Sequence, residues 1–287
     1  MEGVSYETIV QRRSVRRYER TPLEAEVLQR VRDLVAAIQP LVAENVWRVR
    51  YADELAREDL SALLGAYGGI LTPPHALVPY LVGERQPLVD LGYRAEQLAV
   101  GLQALGLASC FVGTLTREAP LLARLQLPAG AQIGALLVYG RESRSRLGQG
   151  VNRAMRAFAG ATNKLPLQQL CYLESFERPG SPPEGMLPLL EAGRRAPSAV
   201  NAQPWRFLWR EDVLHLFVQR HNARYGAGAG QAYRYYDGGL CMANVMLALE
   251  ARGMAGVWRL YGHDGVDAPP HPQALEPLAA LELRTGA

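Results

Sequence analysis

Two stretches of the chain carry the same pattern of apolar and polar positions, and both predict a helix. Residues 90–106 and 237–253 align without gaps at a shift of 147 positions (237 minus 90). In the first stretch Leu98, Leu102 and Leu105 recur at intervals of three and four, which is the spacing of one helix face. Five positions are identical, and the last is the glycine that commonly ends a helix: Asp90 and Asp237, Gly92 and Gly239, Leu102 and Leu249, Ala104 and Ala251, and Gly106 and Gly253.

A second correspondence lies upstream of each predicted helix. Residues 18–20 (Tyr-Glu-Arg) resemble residues 176–178 (Phe-Glu-Arg) at a shift of 158 positions (176 minus 18), and Trp47 falls on Trp205 at the same shift. Duplication explains three matches in the same order better than chance does. The sequence therefore predicts two copies of one unit, at residues 1–140 and 176–287, joined by a connector at residues 141–175.

The remaining apolar runs predict two more helices and several short strands. Helical spacing covers residues 23–38 and 186–195. Because strands and helices do not alternate strictly, the pattern favours an α+β sandwich over a Rossmann fold. The glycine runs at 148–150 and 226–230 lack the context of a dinucleotide fingerprint and are predicted to be loops. The predicted strands span residues 47–51, 76–82, 110–112, 133–139, 207–209, 213–218, 256–258 and 281–283.

Composition places the chain among folded globular proteins. Of its 287 residues, 48% are hydrophobic and 21% are charged, which excludes a disordered or low-complexity protein. The longest apolar runs, such as residues 133–139, are far shorter than a membrane span, and the N-terminus shows no apolar signal segment. We expect a cytoplasmic protein without membrane contact. Three widely spaced cysteines, Cys110, Cys171 and Cys241, predict neither a disulfide framework nor a metal site.

Charge argues against a polyanion as the main partner. The chain has 31 basic and 28 acidic residues, for a net charge of +3, and its aromatic residues are not interleaved with the basic ones, so no nucleic-acid partner is expected. The arginines nevertheless concentrate in two clusters, each of which requires an anion: Arg12, Arg13, Arg16, Arg17 and Arg20, and Arg141, Arg144, Arg146, Arg153 and Arg156.

The first cluster follows a short predicted helix at the N-terminus. Arg12 and Arg13 could simply complement the negative C-terminal end of that helix. That explanation does not cover Arg16 and Arg17, because like charges this close repel one another unless a counter-ion lies among them. Guanidinium groups with the Ser14 hydroxyl between them suit a phosphate, so the pattern favours a phosphate site.

A second informative segment lies at residues 194–207. Pro197 and Pro204 bracket a rigid loop that presents Ser198, Asn201 and Gln203 between a helix and a strand. Such a loop is usually only a polar turn. Three amide or hydroxyl groups within six residues also resemble the hydrogen-bonding cradle of a ligand.

Together these segments resemble the nitroreductase family of flavin enzymes. The arginine-serine-arginine motif of that family is matched by residues 12–16, and its Pro-Ser-x-x-Asn-x-Gln-Pro-Trp loop is matched by residues 197–205. The resemblance covers nearly the whole chain and implies a nitroreductase-like α/β sandwich. The further matching runs are Gly106–Gly113, Leu125–Gly130, Gly134–Gly140 and Lys164–Leu167.

The resemblance also implies an arrangement of subunits. Family members are typically homodimers with FMN at the interface, where one subunit holds the phosphate and the other holds the flavin ring. In this chain the first copy keeps the arginine motif but has residues 40–47 in place of the loop, whereas the second copy keeps the loop but has residues 171–175 in place of the arginines. The chain therefore looks like a fused tandem-repeat pseudodimer with one complete flavin site, able to work as a monomer.

Site residues follow from the matched positions. The phosphate and ribityl chain are expected at Arg12, Arg13, Ser14 and Arg16, with Lys164 as a further phosphate partner. The ring edge or its supporting loop is expected at Pro197, Ser198, Asn201 and Gln203, and the backbone that faces flavin N5 at Gly113 and Thr114.

The implied function is that of an FMN-dependent NAD(P)H oxidoreductase. Hydride from NADH or NADPH would pass through flavin N5 to a small organic acceptor such as a nitroaromatic or a quinone. The alternative is a flavin-binding protein without turnover, that is, an FMN carrier or sensor. The sequence indicates no catalytic acid or base and no metal ligands, and no histidine is assigned a role.

Tyrosines and glycines combine in residues 221–236, just before the second repeated helix. The segment contains Tyr225, Tyr233, Tyr235 and Tyr236 together with three glycines. It is predicted to be either a mobile aromatic lid over the flavin or a plain surface loop.

Overall fold

Helices and strands occur in both halves of the chain. The computed structural model describes residues 3–51, 62–69, 71, 73–158 and 163–284. Within them the helices are α1 (Tyr6–Gln11), α2 (Ala25–Ala37), α3 (Pro87–Ala104), α4 (Glu118–Arg124), α5 (Arg146–Phe158), α6 (Leu187–Arg195) and α7 (Tyr233–Ala251). The strands are β1 (Val46–Tyr51), β2 (His75–Val82), β3 (Ala108–Gly113), β4 (Ala131–Gln132), β5 (Ala135–Gly140), β6 (Cys171–Leu173), β7 (Trp205–Arg210), β8 (Val213–Gln219), β9 (Ala255–Leu260) and β10 (Leu275–Arg284).

Short 3-10 helices connect several of these elements. They span Gly65–Gly69, Leu115–Arg117, Leu167–Gln169, Glu184–Met186, Ala199–Asn201, Ala223–Tyr225 and Gly228–Ala232.

The strands form two five-stranded sheets. The first has the order β1-β2-β5-β3, with β4 also paired to β2, and all its pairs are antiparallel. The second has the order β6-β7-β8-β10-β9 and is antiparallel except for the β6-β7 pair. In each sheet the strand that follows a long helix, β3 or β9, lies at an edge. The mixture of helices with mainly antiparallel sheets agrees with the predicted α+β class.

Helices α3 and α7 end as the repeated glycines predict. Gly106 and Gly253 have φ angles of 75° and 70°, a left-handed conformation that glycine adopts without a steric penalty. After Gly106 the Leu107 N–H donates to the Leu102 carbonyl at 2.9 Å, and after Gly253 the Met254 N–H donates to the Leu249 carbonyl at 3.1 Å. These bonds satisfy carbonyl groups that a helix end would otherwise leave without partners.

The same two helices pack closely against each other. Every residue from Val89 to Leu102 in α3 is buried, as is every residue from Tyr236 to Leu249 in α7. A Cβ atom on Gly92 would overlap the backbone oxygen of Tyr236, and one on Gly239 would overlap the backbone oxygen of Val89. Only glycine at both positions allows the two backbones to approach this closely.

The N-terminal helix does not pack on the sheet that follows it in sequence. Ile9 of α1 belongs to the hydrophobic core of the second sheet, together with Leu189 of α6 and Val245 of α7. The Tyr6 hydroxyl donates to the Pro188 carbonyl at 3.1 Å. The first residues of the chain therefore lie against elements from its second half.

Most predicted elements are confirmed, and the errors have identifiable causes. The run at residues 148–150 lies within α5 and is not a loop; the Ser145 hydroxyl accepts from the Gly148 N–H at 3.0 Å near the start of this helix, which compensates for the low helix propensity of glycine. Strand β10 begins six residues before the predicted 281–283 (281 minus 275), because a register shift between Pro277 and Ala279 accommodates the proline.

No helix among the described residues is both long enough and apolar enough to cross a bilayer.

Candidate functional site

The arginine motif runs alongside an edge strand of the first sheet. Helix α1 ends at Arg12, whose ψ of 130° turns the chain into an extended conformation. Ser14 then forms a parallel bridge with Ser109 of β3, and the Val15 N–H donates to the Ser109 carbonyl at 2.9 Å. The motif is thereby held between α1 and the first sheet.

Arg12 points into the interior and meets a carboxylate. Its Nε lies 3.2 Å from Oε1 of Glu96 on α3, and both side chains are almost fully buried. Burial raises the pKa of Glu96 to about 7, although the positive charges of Arg12 and Lys164 act to lower it. Arg12 Nη1 and Glu96 Oε2 have no hydrogen-bond partner within the described part of the chain, and Glu96 Oε1 has only its contact with Arg12 Nε.

Some of the other arginines of the two clusters pair with carboxylates of the protein, including Arg141 with Glu24 and Arg144 with Glu19. Arg13 pairs with Glu142 at 2.9 Å and is half exposed, so the structure directs it away from Arg12. The backbone N–H groups of Arg16 and Arg17 donate to Asn152 Oδ1 at 3.0 and 2.9 Å. Arg16 Nη1 and Arg17 Nε are buried donors without a partner among the residues described.

The loop between α6 and β7 has an unusual backbone. Val200, Asn201 and Gln203 have φ angles of 49°, 53° and 50°, in the left-handed region that residues other than glycine rarely adopt. The Gln203 N–H donates to the Ser198 hydroxyl at 3.0 Å, and the Ala199 N–H donates to Asp237 Oδ2 at 2.9 Å. These bonds hold the loop in its strained conformation.

The amide side chains of the loop bind the connector. Asn201 Nδ2 and Gln203 Nε2 both donate to the Asn163 carbonyl at 3.1 Å, and the Leu165 N–H donates to Gln203 Oε1 at 2.8 Å. Of the two roles predicted for these amides, support of the loop is thus visible in the structure. They also fix the residues on either side of Lys164.

Lys164 connects the loop with the arginine motif. Its ammonium group donates to the carbonyl of Ala196, the residue before Pro197, and lies 5.8 Å from the centre of the Trp205 ring. Burial and the nearby Arg12 lower the pKa of Lys164 to about 8. The structure therefore brings Arg12 and Lys164 together with the loop that carries Ser198, Asn201 and Gln203.

A tyrosine from the second half covers the turn at Gly113 and Thr114. The Leu115 N–H donates to the Tyr233 hydroxyl at 3.1 Å, and a Cβ atom on Gly113 would overlap that hydroxyl. Thr114 is fully buried, and its N–H donates to the Gly134 carbonyl at 2.9 Å. The backbone N–H groups of residues 114 and 115 thus both have partners within the protein.

Three of the four tyrosines in the segment 221–236 are part of the core, whereas residues 226–229 are exposed. Tyr225, Tyr233 and Tyr236 are buried in one cluster with Leu115 and Ala202, which joins the two halves of the chain. This burial argues against the plain surface loop, one of the two predicted alternatives.

Asp237 is buried at the start of α7, next to this segment. It accepts hydrogen bonds from the Tyr225 hydroxyl at 2.7 Å and from the Ala199 N–H. Burial raises the pKa of Asp237 to about 7, against the opposing effects of these bonds and of Lys164.

Sequence reasoning did not assign Glu96, Asp237 or Tyr233 to the site. For Asp237 a signal was present, because it is identical to Asp90 in the repeat. Asp90 accepts from the Leu41 N–H at 2.9 Å, as Asp237 accepts from the Ala199 N–H. For Glu96 the pattern shows only one of three charged residues on this helix, the others being Asp90 and Arg94, and nothing that distinguishes it from them.

Neither metal ligands nor histidines mark the site. No group of three or more His, Cys, Asp or Glu side chains in the described residues is placed to hold a metal ion. His75 accepts from the Leu23 N–H at 2.9 Å and His215 contacts the Tyr261 hydroxyl, so both bind groups of the protein.

Comparison with known proteins identifies the family. The family model described as "Putative TM nitroreductase" matches residues 5–226. The chain belongs to this nitroreductase family. Membership indicates an oxidoreductase, and the arginine motif and the Pro-Ser loop both lie within the matched range. The comparison with curated proteins gave no match.

The chain is similar to several solved structures, one of which supports a shared fold over nearly the whole chain. A putative nitroreductase from Thermotoga maritima is 18% identical, with a TM-score of 0.56, and the match covers 98% of this chain and 94% of that one. A nitroreductase family protein from Clostridium difficile is 19% identical, with a TM-score of 0.44 and coverage of 57% and 94%. An FMN-dependent nitroreductase from the same species is 18% identical, with a TM-score of 0.42 and coverage of 51% and 90%.

Proposed function

We propose that this protein is an FMN-dependent oxidoreductase that uses NADH or NADPH to reduce a small organic acceptor, such as a nitroaromatic or a quinone. The observation that carries the proposal is the meeting of Arg12 from the first half with Lys164 and the Ala196 carbonyl beside the Pro-Ser loop. These are the two segments on which the family resemblance rests. They are about 185 residues apart in sequence (197 minus 12).

We also propose that the two halves form a pseudodimer. Two kinds of contact support this arrangement. Gly92 approaches Tyr236 as Gly239 approaches Val89, and each pair is related by the 147-residue shift (239 minus 92, 236 minus 89). Such reciprocal contacts are typical of a two-fold interface. The matching bonds of Asp90 and Asp237 to the loops of their own halves agree with the same axis.

The residues present fit the phosphate of FMN. Arg12 Nη1 and Arg16 Nη1 are buried charged donors that lack partners among the described residues, and a phosphate accepts several such bonds at once. Arg12, Arg16 and Lys164 would therefore hold the phosphate. Ser14 and Arg13 would bind its exposed side or the ribityl chain.

The ring would lie toward the loop of the second half. Pro197, Ser198, Asn201 and Gln203 shape this surface, and the turn at Gly113 and Thr114 would approach it from the first half. FMN, when bound, would supply hydride transfer at N5 between the nicotinamide and the acceptor. The contributions of the chain are binding, orientation of the ring and a surrounding core from which water is excluded.

A specific observation favours the second candidate, a flavin-binding protein without turnover. The N–H groups of Thr114 and Leu115 already donate to the Gly134 carbonyl and the Tyr233 hydroxyl. A donor for flavin N5 at this turn would first require Tyr233 to move. A carrier or sensor would not need that movement.

The absorption spectrum of the purified protein tests both candidates. We expect an FMN spectrum, native or after reconstitution, that bleaches when NADH or NADPH is added without oxygen and recovers when a quinone is added. A flavin spectrum that survives excess NAD(P)H would support binding without turnover. Absence of FMN binding under all conditions would contradict both candidates.

A further inference from the structure

The cationic centre of the site already contains an anion of the protein itself. Glu96 lies near the middle of α3, is completely buried and faces Arg12 at 3.2 Å. Lys164 is close enough for its charge to lower the pKa of Glu96. Two of the side chains expected to bind phosphate thus interact with a carboxylate of the protein, Arg12 by direct contact and Lys164 through its charge.

Helix packing does not explain this carboxylate. The corresponding position of the repeat (96 plus 147) is Ala243, which is fully buried in α7. An alanine or another apolar residue would fill such a helix position without the cost of burying a charge. Glu96 is therefore a feature of the first copy, which is also the copy that carries the arginine motif.

The ion pair leaves hydrogen-bonding capacity unused. Glu96 Oε2 and Arg12 Nη1 have no hydrogen-bond partner within the described residues, and Glu96 Oε1 has only its contact with Arg12 Nε. A buried ion pair stabilises a protein only when its remaining donors and acceptors are satisfied. This pair is therefore poorly stabilised, and a better anion for Arg12 could displace the carboxylate at a small cost.

The surroundings of Glu96 favour a change in its charge. The titratable and charged groups that face it are Arg12 next to α1, Lys164 of the connector, and Tyr236 and Cys241 of α7. Burial raises the pKa of Glu96 to about 7 even with both cations present. If a second anion binds to these cations, its charge opposes the ionised carboxylate and favours the protonated one.

We propose that Glu96 is an internal counter-anion, which neutralises Arg12 and Lys164 until a phosphate group binds and which takes up one proton from solvent as that group binds. The inference rests on the proposed function because FMN is the ligand through which it is tested. The inference goes beyond the proposed function because it makes flavin binding depend on pH. The residue responsible, Glu96, lies outside the arginine motif and the loop.

Calorimetric titration of the wild-type protein with FMN measures the proton directly. At pH 7.5, in two buffers of different ionisation enthalpy, we expect uptake of about 0.8 proton by Glu96, because a carboxyl group with a pKa of about 7 is mostly ionised at that pH. Lys164 adds about 0.2 proton, since its pKa is about 8. Binding without proton uptake would overturn the proposal.

The variant Glu96→Gln isolates the role of the carboxylate. We expect Glu96→Gln to bind FMN about as tightly as the wild type at pH 6 and about 30-fold more tightly at pH 8.5, where the wild-type carboxylate must first be protonated. The proton uptake assigned to Lys164 should remain in the variant. The matched control is Asp90→Asn, which removes another fully buried carboxylate of α3, one that pairs with Arg94; its FMN affinity should follow the wild-type pH dependence.

Sulfate separates failure of this inference from failure of the proposed function, because it stays a dianion throughout this pH range. If FMN binds neither protein, the proposed function is wrong. Sulfate should then still raise the melting temperature of Glu96→Gln more than that of the wild type at pH 8.5, and should raise that of the wild type more at pH 6 than at pH 8.5. Equal effects of sulfate in all these cases would overturn the role of Glu96.

Discussion

At the scale of single residues, the arginines of the N-terminal motif differ in what they contact. Arg12 faces a buried carboxylate and Arg13 a partly exposed one, whereas the terminal Nη1 of Arg16 is buried without a partner among the described residues. A buried donor without a partner forms a new hydrogen bond when an anion binds, so binding stabilises it more than a donor that already has a partner. Replacing Arg16 should therefore weaken ligand binding while disturbing the fewest other contacts of the motif.

We predict that Arg16→Ala weakens FMN binding about ten- to a hundredfold. The change removes one charge-assisted contact, which is worth about 1.5–3 kcal/mol. Arg20→Ala is the control, because Arg20 is exposed and lies outside the matched motif. Fluorescence titration of both variants measures their affinity for FMN. Equal and small losses of affinity would mean that these arginines contribute only surface charge.

Asp237 allows a prediction about stability and pH. Its folded pKa of about 7 lies above the ordinary value of about 3.9 for an aspartate, so the folded state holds the proton more tightly. The stability associated with this group is present below about pH 4 and is lost as pH rises toward 7. Relative to Asp237→Asn, which does not titrate, the wild type should lose on the order of 3–4 kcal/mol over this range.

Urea denaturation of both proteins between pH 4 and 8 measures this difference. The asparagine oxygen can still accept from Tyr225 and Ala199, so the loop of the variant should remain in place. A constant difference in unfolding free energy across the range would show that Asp237 is ionised throughout.

The sequence indicates candidate residues for the site, but it does not indicate their contacts. The arginine motif and Pro-Ser loop could be found because their residue types and spacing are unusual. The pairing of Arg12 with Glu96 could not be found, because it depends on which turn of α3 passes the end of α1. In the sequence, Tyr233 is one of four tyrosines in residues 221–236. Only the fold shows that its hydroxyl lies against Gly113.

At the scale of elements, the crossing of α3 and α7 depends on two glycines. A methyl group on Gly92 or on Gly239 would overlap the backbone of the opposite helix, which has no flexible side chain to move aside. We predict that Gly92→Ala and Gly239→Ala each destabilise the protein by about 3 kcal/mol.

Gly150→Ala is the matched control for these two changes. Gly150 lies in α5, and a Cβ atom there meets nothing within 4 Å. This change should leave the protein unaltered or stabilise it by up to about 1 kcal/mol, through the better helix propensity of alanine. Thermal unfolding of the three variants tests the prediction. Similar melting temperatures for all of them would mean that α3 and α7 can move apart without loss of stability.

The elements that were predicted well have strong local signals. Helices α3 and α7 carry long apolar patterns and end at glycines with positive φ. Helix α5 and strand β6, both in the predicted connector, were missed because the first contains two glycines and the second is three residues long. The second is paired in parallel with β7, and no local pattern indicates such a partner.

At the scale of the whole molecule, the pseudodimer proposal determines how much flavin the chain can hold. The arginine motif occurs only in the first half and the Pro-Ser loop only in the second. We predict one FMN per chain, measured as flavin released on denaturation against protein concentration. A ratio near two would mean that residues 40–47 and 171–175 form a second site, and the argument from incomplete half-sites would fail.

Connectivity between the halves could not be predicted from the repeat. The alignment suggested that α1 belongs with the sheet that follows it, yet Ile9 and Tyr6 pack against α6 and α7. An internal repeat shows which segments of the sequence are similar. It does not show whether a segment packs within its own copy or against the other copy.

The close packing of α3 and α7 within one chain also affects how the sequence of this core can evolve. In a dimer of identical subunits, one codon determines both sides of the axis, so a new carboxylate in the central helix would appear twice. Here the codons for Glu96 and Ala243 are separate, and the carboxylate faces Arg12 while alanine occupies the other helix. A single base change can therefore alter one side of this core and leave the other side as it was.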